Sequence, residues 1–131
     1  MEDLDSEAII ADIIKKDPRY TADAYEHIKD CVEYAQRKLK QRRHITCLET
    51  LAAIRAYTLE NYGPMSRYVL SEWGITNCAD FGNIIHNLVV STLFGKSESD
   101  DFAEFGRLGF DFVEAFDQPY KPNKPATPII K

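Results

Sequence analysis

Residues 63–95 read GPMSRYVLSEWGITNCADFGNIIHNLVVSTLFG, and the reading of this stretch decides the fold. Pro64 suits the first turn of a helix, where its fixed φ and missing N–H cost nothing. Apolar spacing predicts a short helix from Pro64 to Trp73 that presents Met65, Tyr68, Val69 and Trp73 inward. Gly74 ends it. Thr76 and Asn77 then cap a longer helix to Phe94, with Asp80 in its first turn. Phe81, Ile84, Ile85, Leu88, Val89 and Leu93 form the buried face of that helix. Asn83, His86, Asn87 and Ser91 form a narrow polar one, and Gly95 closes it. A short helix, a glycine turn and a longer helix is a helix-turn-helix layout.

Upstream, Thr46-Cys47-Leu48-Glu49 matches a capping box, in which Thr46 serves an orphan amide and Glu49 reaches back. The helix it opens runs to Tyr62, where Gly63 supplies the stop. Its residues are apolar almost all round, so it should be the most enclosed helix. A helix from Ala22 to Lys40, capped by Thr21, carries Tyr25, Ile28, Val32, Ala35 and Leu39 at three- and four-residue steps. The first helix runs from Ser6, its expected N-cap, to Lys16. Asp17-Pro18 ends it, because the residue before proline is pushed out of the α region.

Downstream, Lys96 to Asp101 is polar and turn-like. Phe102 to Phe112, interrupted by Gly106 and Gly109, is consistent with a two-stranded hairpin or a loose loop. Asp111 with Glu114 can cap one last short turn, Phe112 to Phe116. Pro119, Pro122, Pro125 and Pro128 then recur every third residue, which places their rings on one edge of a polyproline II helix. Pro119 to Lys124 also satisfies a PxxPxK ligand pattern, against the plainer expectation of a disordered or surface-draped tail. The fold expected is mainly α: one helical domain over 1–117, with a winged-helix-like three-helix core and a short C-terminal β-hairpin in 46–117, followed by a proline-rich tail over 118–131.

The 131 residues suffice for one domain with a real core. The net charge of -5 argues against non-specific polyanion binding. No segment approaches the roughly 18 consecutive apolar residues of a membrane span. The N-terminus, MEDLDSEAII, lacks the basic region of a signal peptide, so a cytoplasmic address is expected. Cys31, Cys47 and Cys78 are odd in number and unpaired in spacing, as small buried thiols are. Arg37 to His44, RKLKQRRH, is the one cationic cluster, with Arg37, Lys38, Lys40, Arg42 and Arg43 and no acid. It sits where cations offset a helix C-terminus, or it forms a phosphate- or acid-binding patch.

Catalytic signatures are incomplete. Asp80-Phe81-Gly82 spells the kinase magnesium motif, but its partner motifs are missing and it falls inside a helix. Gly95-Lys96-Ser97 ends like a phosphate loop, yet Val90 stands where the first glycine belongs. His44 and Cys47 have ligand spacing without a second pair. His27 and His86 have no nucleophile or paired acid beside them in sequence. Glu98, Asp100, Asp101 and Glu104 lack the spacing of a calcium loop. No catalytic residue, metal or cofactor is therefore expected.

Asp17-Pro18-Arg19-Tyr20, Gly63-Pro64-Met65, Leu70-Ser71-Glu72-Trp73-Gly74-Ile75 and Asp80-Phe81-Gly82 occur in an order that resembles a small bacterial family known mainly from Planctomycetes and Verrucomicrobia. Members share a DPRY-like start, an FGPMAxxVLxxWG-like centre, a DFGEIVFNL-like helix and a DFxxAF-like end. The resemblance spans about residues 5 to 120. It implies no activity, because that family has no assigned function. Asn83 stands where its members usually carry an acid.

Two functions follow as expectations. One is a non-catalytic interaction or regulatory module that binds another protein, or itself, through a helical face. The other is nucleic-acid binding, with the Thr76 to Phe94 helix in a groove, Asn83, His86 and Asn87 reading base edges, and the Arg37 to His44 cluster supplying cations. Asp80 and the absence of Lys or Arg along that helix weigh against the second. The candidate surface common to both comprises Arg37, Lys38, Lys40, Arg42, Arg43, Asn83, His86 and Asn87.

Overall fold

The computed structural model describes residues 2–39, 45–91 and 102–120. Six α-helices lie among them: α1 (Glu2–Lys16), α2 (Ala22–Leu39), α3 (Cys47–Tyr62), α4 (Ser66–Glu72), α5 (Cys78–Val90) and α6 (Glu104–Leu108). A 3₁₀ turn at Gly63–Met65 leads into α4, and a π turn at Val113–Asp117 followed by a 3₁₀ turn at Gln118–Tyr120 ends the described chain. None of the helices is long and apolar enough to cross a membrane.

Helix α2 is the hub. It packs antiparallel to α3, as the contacts of Tyr34 with Tyr57 and of His27 with Tyr62 require, and α5 crosses it. The core shared by these helices includes Tyr25, Ile28, Ile54, Leu70, Phe81 and Ile84, all fully buried. Burying side chains of this size contributes about 1.5–3 kcal/mol each. The buried face of α2 is wider than its sequence stripe, because Ala24, His27 and Cys31 are enclosed as well. The expected capping box of α3 forms, with Thr46 accepting from the Glu49 amide, and the Asn77 cap of α5 proves to be a second box, accepting from the Asp80 amide. Each cap satisfies amides that the helix itself leaves unpaired.

The expected winged-helix-like core with a C-terminal hairpin does not form. No strand occurs among the described residues. The segment beginning at Phe102 turns into α6, and Phe105 drops into the core. Phe102 and Phe105 are three apart and Phe112 and Phe116 four apart, which are helical spacings; only the Phe110–Phe112 pair suggested strand alternation. Phe112 stacks on Phe81 at 5.5 Å and meets Phe116 edge-on at 5.1 Å. Close approach is possible because Gly82 has no side chain: a Cβ there would lie 2.5 Å from the Phe102 carbonyl oxygen. The expected cap does form, with the Glu114 amide donating to Asp111 Oδ2 at 3.1 Å.

Three local expectations also change. Helix α1 begins at Glu2, so Ser6 is not its N-cap but lies one turn inside it, 4% exposed. Helix α4 is rotated from its expected face: Ser66 and Leu70 are buried, while Met65 and Tyr68 point outward. The rotation is held by the Ser66 hydroxyl, which donates toward the carbonyls of Gly63 (2.7 Å) and Thr58 (3.2 Å). Helix α3 is not enclosed all round, since Leu48, Ala52 and Ala56 face solvent.

Candidate functional site

On the polar face of α5, Asn83 and Asn87 are engaged by the protein itself. The turn Asp17 to Thr21, between α1 and α2, lies across that face. Tyr20 donates its phenol proton to Asp80 Oδ1 at 2.5 Å and accepts from Asn83 Nδ2 at 3.0 Å. The other Asp80 oxygen accepts from the amides of Thr76 and Asn77. Asn87 donates from Nδ2 to Asp17 Oδ2 and to the Tyr25 hydroxyl, both at 3.0 Å. Asp17 grips Arg19 by two side-chain bonds of 2.8 and 2.7 Å.

Electrostatics follow this geometry. The Arg19 guanidinium, with help from Asn87, holds the Asp17 carboxyl well below the usual carboxylate range against the cost of burial. Burial, with the Asp80 carboxylate adding to it, pushes the Tyr20 phenol up to about 12. Burial raises Tyr25 as well. These phenols stay protonated at neutral pH, and the network acts as a clamp that fixes the turn onto α5.

Part of the expected surface is thus engaged within the molecule. Asn83 and Asn87 use their amides inside the molecule. His86 is exposed on the flank of α5, with its ring 5.0 Å from Phe102. Arg37 and Lys38 are exposed in the last turn of α2, where Lys38 lies over the Tyr34 ring at 5.6 Å. Lys40, Arg42, Arg43 and His44 lie outside the described residues, as do Leu93 to Asp101 with the acids Glu98, Asp100 and Asp101, and the tail from Lys121 onward. Glu104 pairs with Arg107 at 3.4 Å.

A second enclosed cluster surrounds His27. Its Nε2 lies 2.8 Å from Thr58 Oγ1, and the rings of Tyr57, Tyr62 and Trp73 stand 5.2–5.6 Å away. Burial lowers the imidazole to about 4, so the ring is neutral. Cys31, one turn on and also bonded to Thr58, is pushed far up by burial and stays a thiol. Cys78 is raised to about 11 by burial, and its sulfur receives the Phe110 amide at 3.3 Å. Burial thus keeps this histidine neutral and these thiols protonated. The sequence signal for His27 was its step of four from Cys31 on the apolar side of α2. Among the described residues, no group of three or more His, Cys, Asp or Glu is arranged to hold a metal.

Two of the open clefts among the described residues lie away from α5. One is a cleft of about 420 Å³ beside α4, bordered by Pro64, Tyr68, Ser71 and Tyr120 and spanned by Arg67 and Asp117, paired at 2.7 Å. Met65 and Tyr68 beside it are 54% and 59% exposed. The other is an acidic groove between α1 and α2. No family model, curated protein or solved structure matches the chain.

Proposed function

We propose that the protein is a non-catalytic interaction module that receives a protein partner on the outward face of α4. The observation that carries this reading is the exposure of Met65, Tyr68 and Tyr120 around one cleft. Tyrosine, methionine and arginine are enriched where proteins meet, and a paired arginine at the margin suits a polar rim. The state of the reactive groups agrees: His27 is neutral and enclosed, and the Cys31 thiol is protonated and buried. The nucleic-acid reading gains no such support, because Asn83 and Asn87 already spend their donors on Tyr20, Tyr25 and Asp17.

A photo-reactive residue placed at position 68, with a second placed at position 86 as control, tests the reading in cells. The expected result is a discrete protein adduct from position 68 that is absent from position 86 and lost with Met65→Glu. The same adducts from both positions, or none from position 68, reject it. Salt-sensitive DNA binding that disappears when Arg37, Lys38, Arg42 and Arg43 are neutralised establishes the nucleic-acid reading instead.

A further inference from the structure

Ser6 is buried to 4% exposure inside α1, and its hydroxyl makes no hydrogen bond. A buried hydroxyl without a partner costs about 1–3 kcal/mol, so its persistence asks for a reason. Ser6 lines the groove of about 850 Å³ between α1 and α2. Along the groove stand five carboxylates, Glu7, Asp23, Glu26, Asp30 and Glu33, against a single ammonium, Lys29. Lys29 pairs with Glu33 at 3.7 Å, and no ion pair forms at Glu7, Asp23, Glu26 or Asp30 among the described residues. Crowding shows in Asp30, whose carboxyl is raised by burial and by Glu33 although Lys29 and Arg37 oppose the shift. Ile10 and Ile14 line the same groove, which is thus apolar as well as acidic.

The chain carries the matching surface on the same helix. Arg37, Lys38, Lys40, Arg42 and Arg43 follow one another at and beyond the end of α2, with Leu39 among them. Arg37 acts on Asp30 at the near end of the groove, but the stretch beyond it cannot reach the far end at Asp23 and Glu26. Residues 40–45 join α2 to the antiparallel α3, so both ends of that stretch are held at one end of the pair. Glu26 and Asp23 lie about 20 and 24 Å back along α2 from Leu39, at 1.5 Å per residue. Three extended residues span only about 10 Å. We propose that the α1–α2 groove is a docking site for the basic Arg37–Arg43 stretch of a second copy of this chain, giving head-to-tail association. Such an interface is heterologous: each copy offers a groove at one end and a basic stretch at the other, so chains of copies grow unless the rotation closes a ring.

The intact protein is followed by sedimentation velocity from low to high micromolar concentration, in about 20 mM and about 500 mM salt, because screening weakens exposed charge contacts. The expected result is growth with concentration at low salt, reversed at high salt. Glu26→Lys with Asp30→Lys removes the groove, and Arg42→Glu with Arg43→Glu removes the occupant. Each variant alone is expected to stay monomeric, with unchanged circular dichroism. The two mixed are expected to associate, because the intact basic stretch of the groove variant meets the intact groove of the other, whereas groove-reversed protein with wild type is expected to stop at short assemblies capped by the variant. Ser6→Ala is expected to weaken association roughly five-fold, the effect of one hydrogen bond, without lowering the thermal midpoint. A wild-type protein that is monomeric at low salt, variants that associate as wild type does, or a Ser6→Ala protein that associates unchanged overturns the proposal. So does binding of a synthetic 34–45 peptide by a wild type that does not self-associate, which assigns the groove to a basic segment of another protein.

Discussion

The Tyr20 hydroxyl and the Asp80 carboxylate meet at 2.5 Å, joining the start of α2 to the first turn of α5. Asp80 thereby does two jobs: one oxygen completes the α5 capping box and the other anchors the turn before α2. Tyr20→Phe removes this bond and strands the Asn83 donor, which is expected to cost about 1–2 kcal/mol. Urea unfolding of Tyr20→Phe, Asp80→Ala and the double variant measures the pair directly. A coupling of about 1 kcal/mol is expected; additive losses show that the contact contributes nothing.

Asn87 and His86 are neighbours in sequence with opposite expected consequences. Asn87→Ala leaves the fully buried Tyr25 without its hydroxyl partner and removes a donor from Asp17. A loss of about 2 kcal/mol is expected, against a change within about 0.5 kcal/mol for the exposed His86→Ala. Denaturant midpoints of the two variants decide the matter. Equal, small effects are what a solvent-facing base-reading helix gives, and they are incompatible with the clamp.

Local chemistry was legible in the sequence and long-range partnership was not. The caps of α3 and α5 could be read because Thr46 with Glu49, and Asn77 with Asp80, satisfy each other within four residues. The polar face of α5 could be read as polar, but its destination is a turn 60 to 70 positions earlier. The rotation of α4 was hidden for the same reason. Met65 and Tyr68 look like part of one core stripe with Trp73, which does pack against the core, while the choice of face rests on a Ser66 hydroxyl reaching the Thr58 carbonyl of another helix. The hairpin failed because the aromatic residues between Phe102 and Phe116 carry two periods, and packing onto Phe81 and Gly82 selects the helical one.

Gly74 closes α4 at φ +93, and a Cβ there would stand 2.3 Å from the Arg19 carbonyl oxygen. Both the backbone conformation and the docked turn exclude a side chain. Gly74→Ala is expected to cost at least about 3 kcal/mol, the conformational strain of about 1–3 kcal/mol being added to a backbone clash. Gly106→Ala is the control, since its Cβ would meet only the Ala79 methyl at 3.3 Å. Thermal midpoints well below wild type for position 74 and near it for position 106 are expected. Similar midpoints for both contradict the docked position of the Asp17–Thr21 turn.

His27 gives the fold an acid sensitivity with a defined window. Its folded imidazole titrates near 4, against about 6.5 for a free histidine. Below 6.5 the unfolded chain takes up a proton that the folded chain refuses, so stability is complete above that pH and declines as pH falls toward 4. The full loss is roughly 3 kcal/mol, from 1.36 kcal/mol per unit of difference. Asp17, whose carboxyl is held low in the fold, adds its own loss only as pH falls below about 3.9, the range in which an unfolded aspartate protonates. His27→Gln keeps a polar group near Thr58 and has no such titration. It is expected to be less stable than wild type at pH 7.5, with the gap narrowing as pH drops from 6.5 to 4. Urea unfolding across that range measures the gap; parallel profiles for the two proteins would show that the imidazole is not held neutral by burial.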